Sequence, residues 1–279
     1  MWPPCTVASG RNFQVDYFGS VYVGNTSSLI DRHILCYGAW ERSTLYFLRD
    51  AAAQLDSHPS VFVDIGANTG SHSLFMSHYV DVVHAFDPYQ RVLDQFERSI
   101  QTSGVENITI HAVGLGNRAA RLPFQEPADE NTGTGSFVPG LHENNEDRGM
   151  QLEVVVGDQY FEEVGIADVD IIKIDAEGYE KPILEGLVGT LATYRPIIVF
   201  ELTSRSGSDG LFDSYESVLR VLPDEYELRM LSRQHKETGA YELVPLRIDF
   251  DADFDQEDAV ALPKEKISLI RLTSPGEGG

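Results

Sequence analysis

The stretch Val61-Phe62-Val63-Asp64-Ile65-Gly66-Ala67-Asn68-Thr69-Gly70 constrains this chain more than any other. Val61 to Val63 is a short β-branched apolar run, the pattern of a buried strand. Gly66 and Gly70 break that pattern. Ser71 to Met76 then reads as the start of a helix, with Ser71 as the expected N-cap. A strand, a glycine turn and a helix start make a ligand cradle. Glycines let a ligand approach the backbone, and a helix N-terminus offers free N–H groups.

The spacing narrows the ligand. A dinucleotide fingerprint is G-x-G-x-x-G, and these glycines do not have that form. Asp64-x-Gly66-x-x-x-Gly70 instead resembles motif I of S-adenosylmethionine-dependent methyltransferases. The resemblance implies a loop of Asp64, Gly66, Ala67, Asn68, Gly70 and Ser71 wrapped around the methionine part of the cofactor. The acid would lie near the cofactor's amino group, directly or through water. On this basis Gly66→Val is expected to fill the cradle and abolish binding in a protein that still folds. Val82 to Phe86 reads as a second strand ending at Asp87-Pro88. An acid there, roughly 20 residues past the glycines, is where a carboxylate grips a ribose hydroxyl pair. Asp87 is also a candidate N-cap for a helix over Arg91 to Thr102, with Pro88 at its first position, and the two roles are compatible. Ile108 to Val113 is a third strand. In this architecture its end, Val113 and Gly114, lies beside the adenine, where small residues admit a flat base.

The second anchor runs from Val169 to Glu180. Ile171 to Ile174 is a buried strand interrupted by Lys173, and Asp175, Glu177 and Glu180 follow at its C-terminal end, the end at which open parallel sheets bind ligands. Pro196 to Phe200 is the next strand and ends in Glu201. Lys173-Ile174-Asp175-x-Glu177-Gly178-x-Glu180, then Leu184, Gly186, Pro196 and Phe200-Glu201, resembles the FkbM family of methyltransferases, as does the segment 63–70. The match covers roughly residues 60–203. Many family members carry Glu-Pro where this chain has Asp87-Pro88, and Asp does the same chemistry. The resemblance implies an α/β fold: a Rossmann-like class I methyltransferase, with a mostly parallel seven-stranded sheet, helices on both faces and an N-terminal cap. It also implies S-adenosyl-L-methionine as cofactor and methylation of a hydroxyl oxygen on a sugar, glycan or other small metabolite.

An alcohol is a poor nucleophile until its proton leaves, and a carboxylate within hydrogen-bond reach can accept that proton. Asp175, Glu177 and Glu201 are the candidates, with His72 and His111 as alternatives. Lys173 is expected to pair with one of the acids, and Glu177 is also a candidate for a helix N-cap. Asp175 and Glu201 on adjacent strand ends have the chemistry for a hard cation such as Mg²⁺. No His/Cys spacing supports a transition metal, and no metal ligand is assigned.

Composition excludes some partners. Forty-four acids stand against 21 bases, a net charge of −23, and only five of those bases are lysines. So acidic a surface repels phosphate backbones and anionic lipid, which argues against nucleic acid and membrane. No apolar run reaches the ~18 residues of a membrane span. Cys5 and Cys36 do not make a disulfide framework or a metal site. Met1-Trp2-Pro3-Pro4-Cys5 lacks the features of a signal peptide, so the expected location is cytoplasmic.

The remainder is expected to shape the acceptor pocket. Residues 1–55 read as an N-terminal cap, with a strand or hairpin over Asn12–Val23 and a helix over Ala39–Leu55. Residues 56–279 read as the methyltransferase domain. Glu126 to Met150 and Arg205 to Gly210 are polar loops. Ser214 to Leu222 is helical, and Tyr226 to Leu231 and Ile267 to Leu272 read as strands. The run Asp249 to Asp255 lacks the glycine of an EF-hand loop and reads as a solvated connection. Pro275 to Gly279 reads as a frayed tail. Two other classes fit the same kind of sheet: an NAD-dependent oxidoreductase, and a non-catalytic binding protein.

Overall fold

The computed structural model describes residues 7–55, 59–127, 133–141, 148–204, 211–232, 239–250 and 254–274. The expected polar loop over 205–210, the expected frayed tail over 275–279 and the middles of the 126–150 and 249–255 stretches lie outside these residues. The first described elements are a hairpin, β1 (Asn12–Tyr17) and β2 (Ser20–Asn25). Its two-residue turn, Phe18-Gly19, has positive φ at both positions, the twist that a short hairpin requires. Ser28 caps α1 (Leu29–Tyr37) by accepting from the Asp31 N–H, and Gly38 ends the helix in the left-handed conformation. Cys36 in this helix is disulfide-bonded. A single bridge is not the framework of a small secreted domain. Then comes α2 (Arg42–Ala52).

The strand–helix alternation follows, with β3 (Val61–Ile65), α3 (Ser71–Met76), β4 (Val82–Phe86), α4 (Gln90–Ser103) and β5 (Ile108–His111). A small three-stranded sheet is inserted next. It holds β6 (Gly114–Gly116), β7 (Ala120–Pro123) and β8 (Gln151–Val156), in the order β6-β8-β7. The main sheet resumes after α5 (Gly157–Val164) with β9 (Val169–Ile174), α6 (Glu180–Gly186), α7 (Val188–Tyr194) and β10 (Ile197–Ser204). The C-terminal part comprises α8 (Tyr215–Val221), β11 (Tyr226–Leu231), β12 (Tyr241–Pro245), β13 (Phe254–Pro263), α9 (Lys264–Ile267) and β14 (Thr273–Ser274).

The main sheet has the order β14-β12-β11-β13-β10-β9-β3-β4-β5. From β10 to β5 every pairing is parallel. β13 inserts antiparallel between β10 and β11, and the antiparallel strands β12 and β14 extend that edge. Among the described residues the sheet is mixed and has nine strands, against the seven expected. Buried residues alternate between its faces, as strand geometry demands. Phe62, Ile171, Ile197, Val199, Val260 and Leu262 join one cluster, together with Tyr17, Tyr22, Phe47 and Leu48 from the first elements. Val63, Ile65, Ile172, Ile174, Ile198 and Phe200 join the other, under α5 to α8. Residues before β3 thus share a core with the sheet.

Several boundaries differ from the sequence expectations. Gly70, at φ 80°, is the N-cap of α3, and Ser71 is its first residue. Tyr89 is the N-cap of α4, which places Pro88 before the helix. Ile267 to Leu272 is not a strand: α9 ends there and a turn follows. The last long strand is β13, which begins inside the Asp-rich run.

Candidate active site

The turn after β3 closes onto its neighbours through the backbone. The Phe86 carbonyl at the end of β4 accepts from both the Gly66 and Ala67 N–H groups, at 2.9 and 3.0 Å. Gly66, Asn68 and Gly70 all have positive φ. A Cβ on Gly66 would lie 1.7 Å from the Asp175 carbonyl oxygen, and one on Gly70 would lie 2.0 Å from the Phe96 ring. Both glycines are therefore required by chain packed on chain. The expectation that Gly66→Val acts on the ligand alone is corrected, because the side chain would first strike the end of β9.

Asp87 ties this turn to the next. Its Oδ2 accepts from the Asn68 N–H at 2.9 Å and its Oδ1 from the Tyr89 N–H at 2.8 Å. Burial pushes its carboxyl up to about 6, against the pull of those two amides. Asp64 behaves differently. It is fully buried, accepts from Ser73 Oγ at 2.6 Å and lies 3.9 Å from Lys173 Nζ. Burial raises its pKa, and Lys173 opposes that rise.

The turn after β9 is built around acids. The Lys173 ammonium, itself buried, reaches Asp175 Oδ2 at 3.1 Å. Burial disfavours its charge, but Asp175 and Asp64 outweigh burial and hold its pKa above the usual lysine range. Glu180 is buried and accepts from the Ala176 and Gly178 N–H groups, so it braces the turn. Burial pushes it up to about 8. Glu177 sits at φ 49°. Its carboxylate and that of Glu201 accept from the same donor, Gln256 Nε2, at 3.1 and 3.2 Å. Ligand oxygens of Asp175, Glu177 and Glu201 lie within 4.8 Å of one another. Burial, and then the charges of Asp175 and Glu177, push the Glu201 pKa well above the usual carboxylate range.

A cavity lies between these two turns. The structure brings Gly66, Asn68, Asp87, Pro88, Val113 and Gly114 to its wall, facing Asp175, Glu177 and Glu201. It does not bring Asp64, Ala67, Gly70 or Ser71 there; these support the turn from behind. His72 and His111 also lie off the wall. His72 is buried within α3, and His111 stacks on Phe86 and contacts His84 and Tyr160. Sequence reasoning missed Glu41 and Gln256, and the aromatic wall of Tyr89, Phe124, Phe137 and Tyr179. No local pattern marks them, because tertiary packing alone brings them to the cavity.

The order of the parallel strands and a cavity at their C-terminal ends define a Rossmann-like class I methyltransferase fold. Residues 64–236 match the Methyltransferase FkbM domain, and the chain belongs to the FkbM methyltransferase family. It is 25% identical over 165 residues to the hexuronic acid methyltransferase AglP of Haloferax volcanii, an alignment covering 57% of this chain and 61% of that protein. It is 28% identical over 145 residues to methyltransferase 1 of Beauveria bassiana, covering 46% and 58%. The chain thus spans about three fifths of the length of each relative. Among solved structures it is similar to methyltransferase FkbM from Methylobacillus flagellatus KT, with a TM-score of 0.47 at 20% identity over 81% of this chain and 50% of that one.

Membership of this family gives S-adenosylmethionine as the cofactor. The residues present fit it. Asn68 Oδ1 is buried without a hydrogen-bond partner in the turn that lines the cavity, and Asp87 stands at the end of β4 with its carboxylate at the wall. No described helix is long and apolar enough to cross a membrane.

Proposed function

We propose that this protein transfers a methyl group from S-adenosylmethionine to a hydroxyl oxygen of a sugar, glycan or other small metabolite. The observation that supports this most directly is the convergence of Asp175, Glu177 and Glu201 at the ends of β9 and β10, beside the cofactor wall. The bound cofactor supplies a methyl group made electrophilic by its sulfonium. Asp87 would hold the ribose hydroxyls, while Val113 and Gly114 flank the base. Glu201 receives the acceptor's proton. Asp175 has one oxygen engaged by Lys173 and orients the hydroxyl. Glu201 is buried and accepts from the Gln256 amide, and its high proton affinity makes it the stronger base once ionised. The aromatic wall excludes water from the transfer. The N-terminal cap over 1–55 belongs to this proposal, since Leu29, Ile30 and Trp40 close the cavity from one side, with 56–279 as the methyltransferase body.

The first test is calorimetric titration with S-adenosylhomocysteine, with NAD as the control, followed by transfer of labelled methyl to a panel of hydroxyl-bearing glycosides. Glu201→Gln should keep its affinity for S-adenosylhomocysteine within about threefold and lose about 10²–10⁴ in turnover, the scale of general-base catalysis. The wild-type rate should rise with pH as Glu201 ionises, above the usual carboxylate range, and the variant should lack that limb. Binding of NAD alone would replace the proposal with an oxidoreductase. Full turnover in Glu201→Gln would remove this residue from the mechanism. Loss of transfer in a chelator, restored by Mg²⁺, would assign the three acids to a cation instead.

A further inference from the structure

We propose that the acceptor carries no negative charge: the site takes a hydroxyl of a neutral sugar and discriminates against uronates and sugar phosphates. This rests on the hydroxyl-transfer reading above and narrows its substrate class. Carboxylates of Glu41, Asp87, Asp175, Glu177 and Glu201 line the cavity, and no lysine, arginine or histidine lines it among the described residues. An anion withdrawn from water needs a cation or converging hydrogen-bond donors. The selection does not need any of these acids to be unpaired; it needs a wall without a cation.

The cations near the wall act on protein groups. Lys173 stands behind it, 3.1 Å from Asp175 and 3.9 Å from Asp64. Arg91 acts on the Tyr89 hydroxyl and Arg118 on that of Tyr179, but neither arginine lines the cavity. The backbone donors of the turn after β9 are engaged as well. The Asp175 N–H donates to the Ile65 carbonyl and the Tyr179 N–H to the Ala176 carbonyl. The Ala176 and Gly178 N–H groups donate to Glu180. Gln256 Nε2 donates to Glu177 and Glu201.

A further anion would add to a repulsion that the site already holds. After burial, the charges of Asp175, Glu177, Glu180 and Asp258 all push the Glu201 carboxyl upward. The rings of Tyr89, Phe124, Phe137 and Tyr179 follow one another along the wall, with successive centroids 5.2, 5.4 and 5.2 Å apart. Such a wall screens charge poorly, so like charges repel more strongly beside it than in water. The apolar C–H face of a neutral sugar packs on the same rings without that cost.

The test uses methyl glycosides of glucose, galactose and mannose, each beside its uronate and the primary amide of that uronate, with labelled S-adenosylmethionine. Uronate and amide share their hydroxyls and nearly their size, and they differ in charge. Each is measured as a substrate and as a competitor of the neutral glycoside, so transfer to the 6-hydroxyl, which both lack, still yields an affinity. On a framework that accepts methyl, the amide should be favoured over the uronate by at least about tenfold, the scale of a like-charge contact in a poorly screened site. Glu177→Gln removes one wall charge and keeps the shape, so that ratio should fall by about threefold or more. A wild type that takes the uronate as well as the amide would overturn the proposal. A ratio unchanged in Glu177→Gln would do the same, because the discrimination would then not come from the wall's charge. Transfer to none of the neutral glycosides, with S-adenosylhomocysteine still bound, would overturn the hydroxyl-transfer reading on which the proposal rests.

Discussion

The turns after β3 and β9 sit side by side in the sheet and both carry an acid followed by glycine, yet they present opposite surfaces. The first turns its acid inward: Asp64 is buried against Ser73 and Lys173, and backbone and Asn68 face the cavity. The second turns its acids outward, so that Asp175 and Glu177 meet Glu201 at the wall. One lysine separates the two outcomes. Lys173 lies on β9 between the strands, 3.9 Å from Asp64 and 3.1 Å from Asp175. It makes Asp64 a structural counter-ion and engages one oxygen of Asp175. A motif acid's position therefore does not fix its role; the charge packed behind it does.

The largest effect should come from removing that cation. Lys173→Met leaves Asp64 buried and unpaired, and breaking a buried pair in this way costs about 3–5 kcal/mol. Urea unfolding should show that loss. A midpoint within error of wild type would mean that the two turns do not depend on a shared charge. The second effect comes from the contact between the turns. Gly66→Ala places a methyl group against the Asp175 carbonyl and keeps a left-handed backbone. Overpacking and strain together should destabilise by about 2–4 kcal/mol. The measurement is thermal unfolding alongside S-adenosylhomocysteine titration. Weakened binding at unchanged stability would mean that Gly66 serves the ligand alone, as the sequence motif suggests.

The same contrast explains what was legible in the sequence. β3, β9 and β10 are buried on both faces, so they read as largely apolar runs, interrupted in β9 by Lys173, and the acids at their ends could be named. β13 was hidden because it runs antiparallel and starts at the cavity end of the sheet, where Asp258 pairs with Glu201 and Glu257 with Leu202. Its polar first half lies where ligands bind, so it resembles a solvated connection. Ala259 to Leu262, in its second half, enter the core. Gln256, which bridges Glu177 and Glu201, was hidden with it. Glu41 was missed for another reason. It belongs to a segment whose apolar spacing reports a packing helix, and nothing local shows that the preceding turn reaches the cofactor wall. Asp64 was placed at the ligand because the motif fixes which residue follows the strand, while its exposure depends on Lys173, more than a hundred residues away.

The smallest effect separates Asp87 from Asp64, since both are acids at strand ends raised by burial, but only Asp87 faces the cavity. Its folded carboxyl, pushed up to about 6, lies above the usual carboxylate range. The fold therefore favours the protonated form. Its contribution to stability is greatest below pH ~4, falls as pH rises to about 6 and is constant above that. Ligand binding follows the opposite sign, because a ribose hydroxyl pair donates to the ionised carboxylate. Affinity for S-adenosylhomocysteine should rise by up to about tenfold per pH unit below 6 and level off above it. In Asp87→Asn the binding should be weaker at neutral pH and lack that limb, while Asp64 remains paired with Lys173 and keeps the turn folded. A wild-type profile that is flat from pH 5 to 8 would mean that Asp87 serves only the Asn68 and Tyr89 amides, and the ribose would then have to be held from elsewhere on the wall.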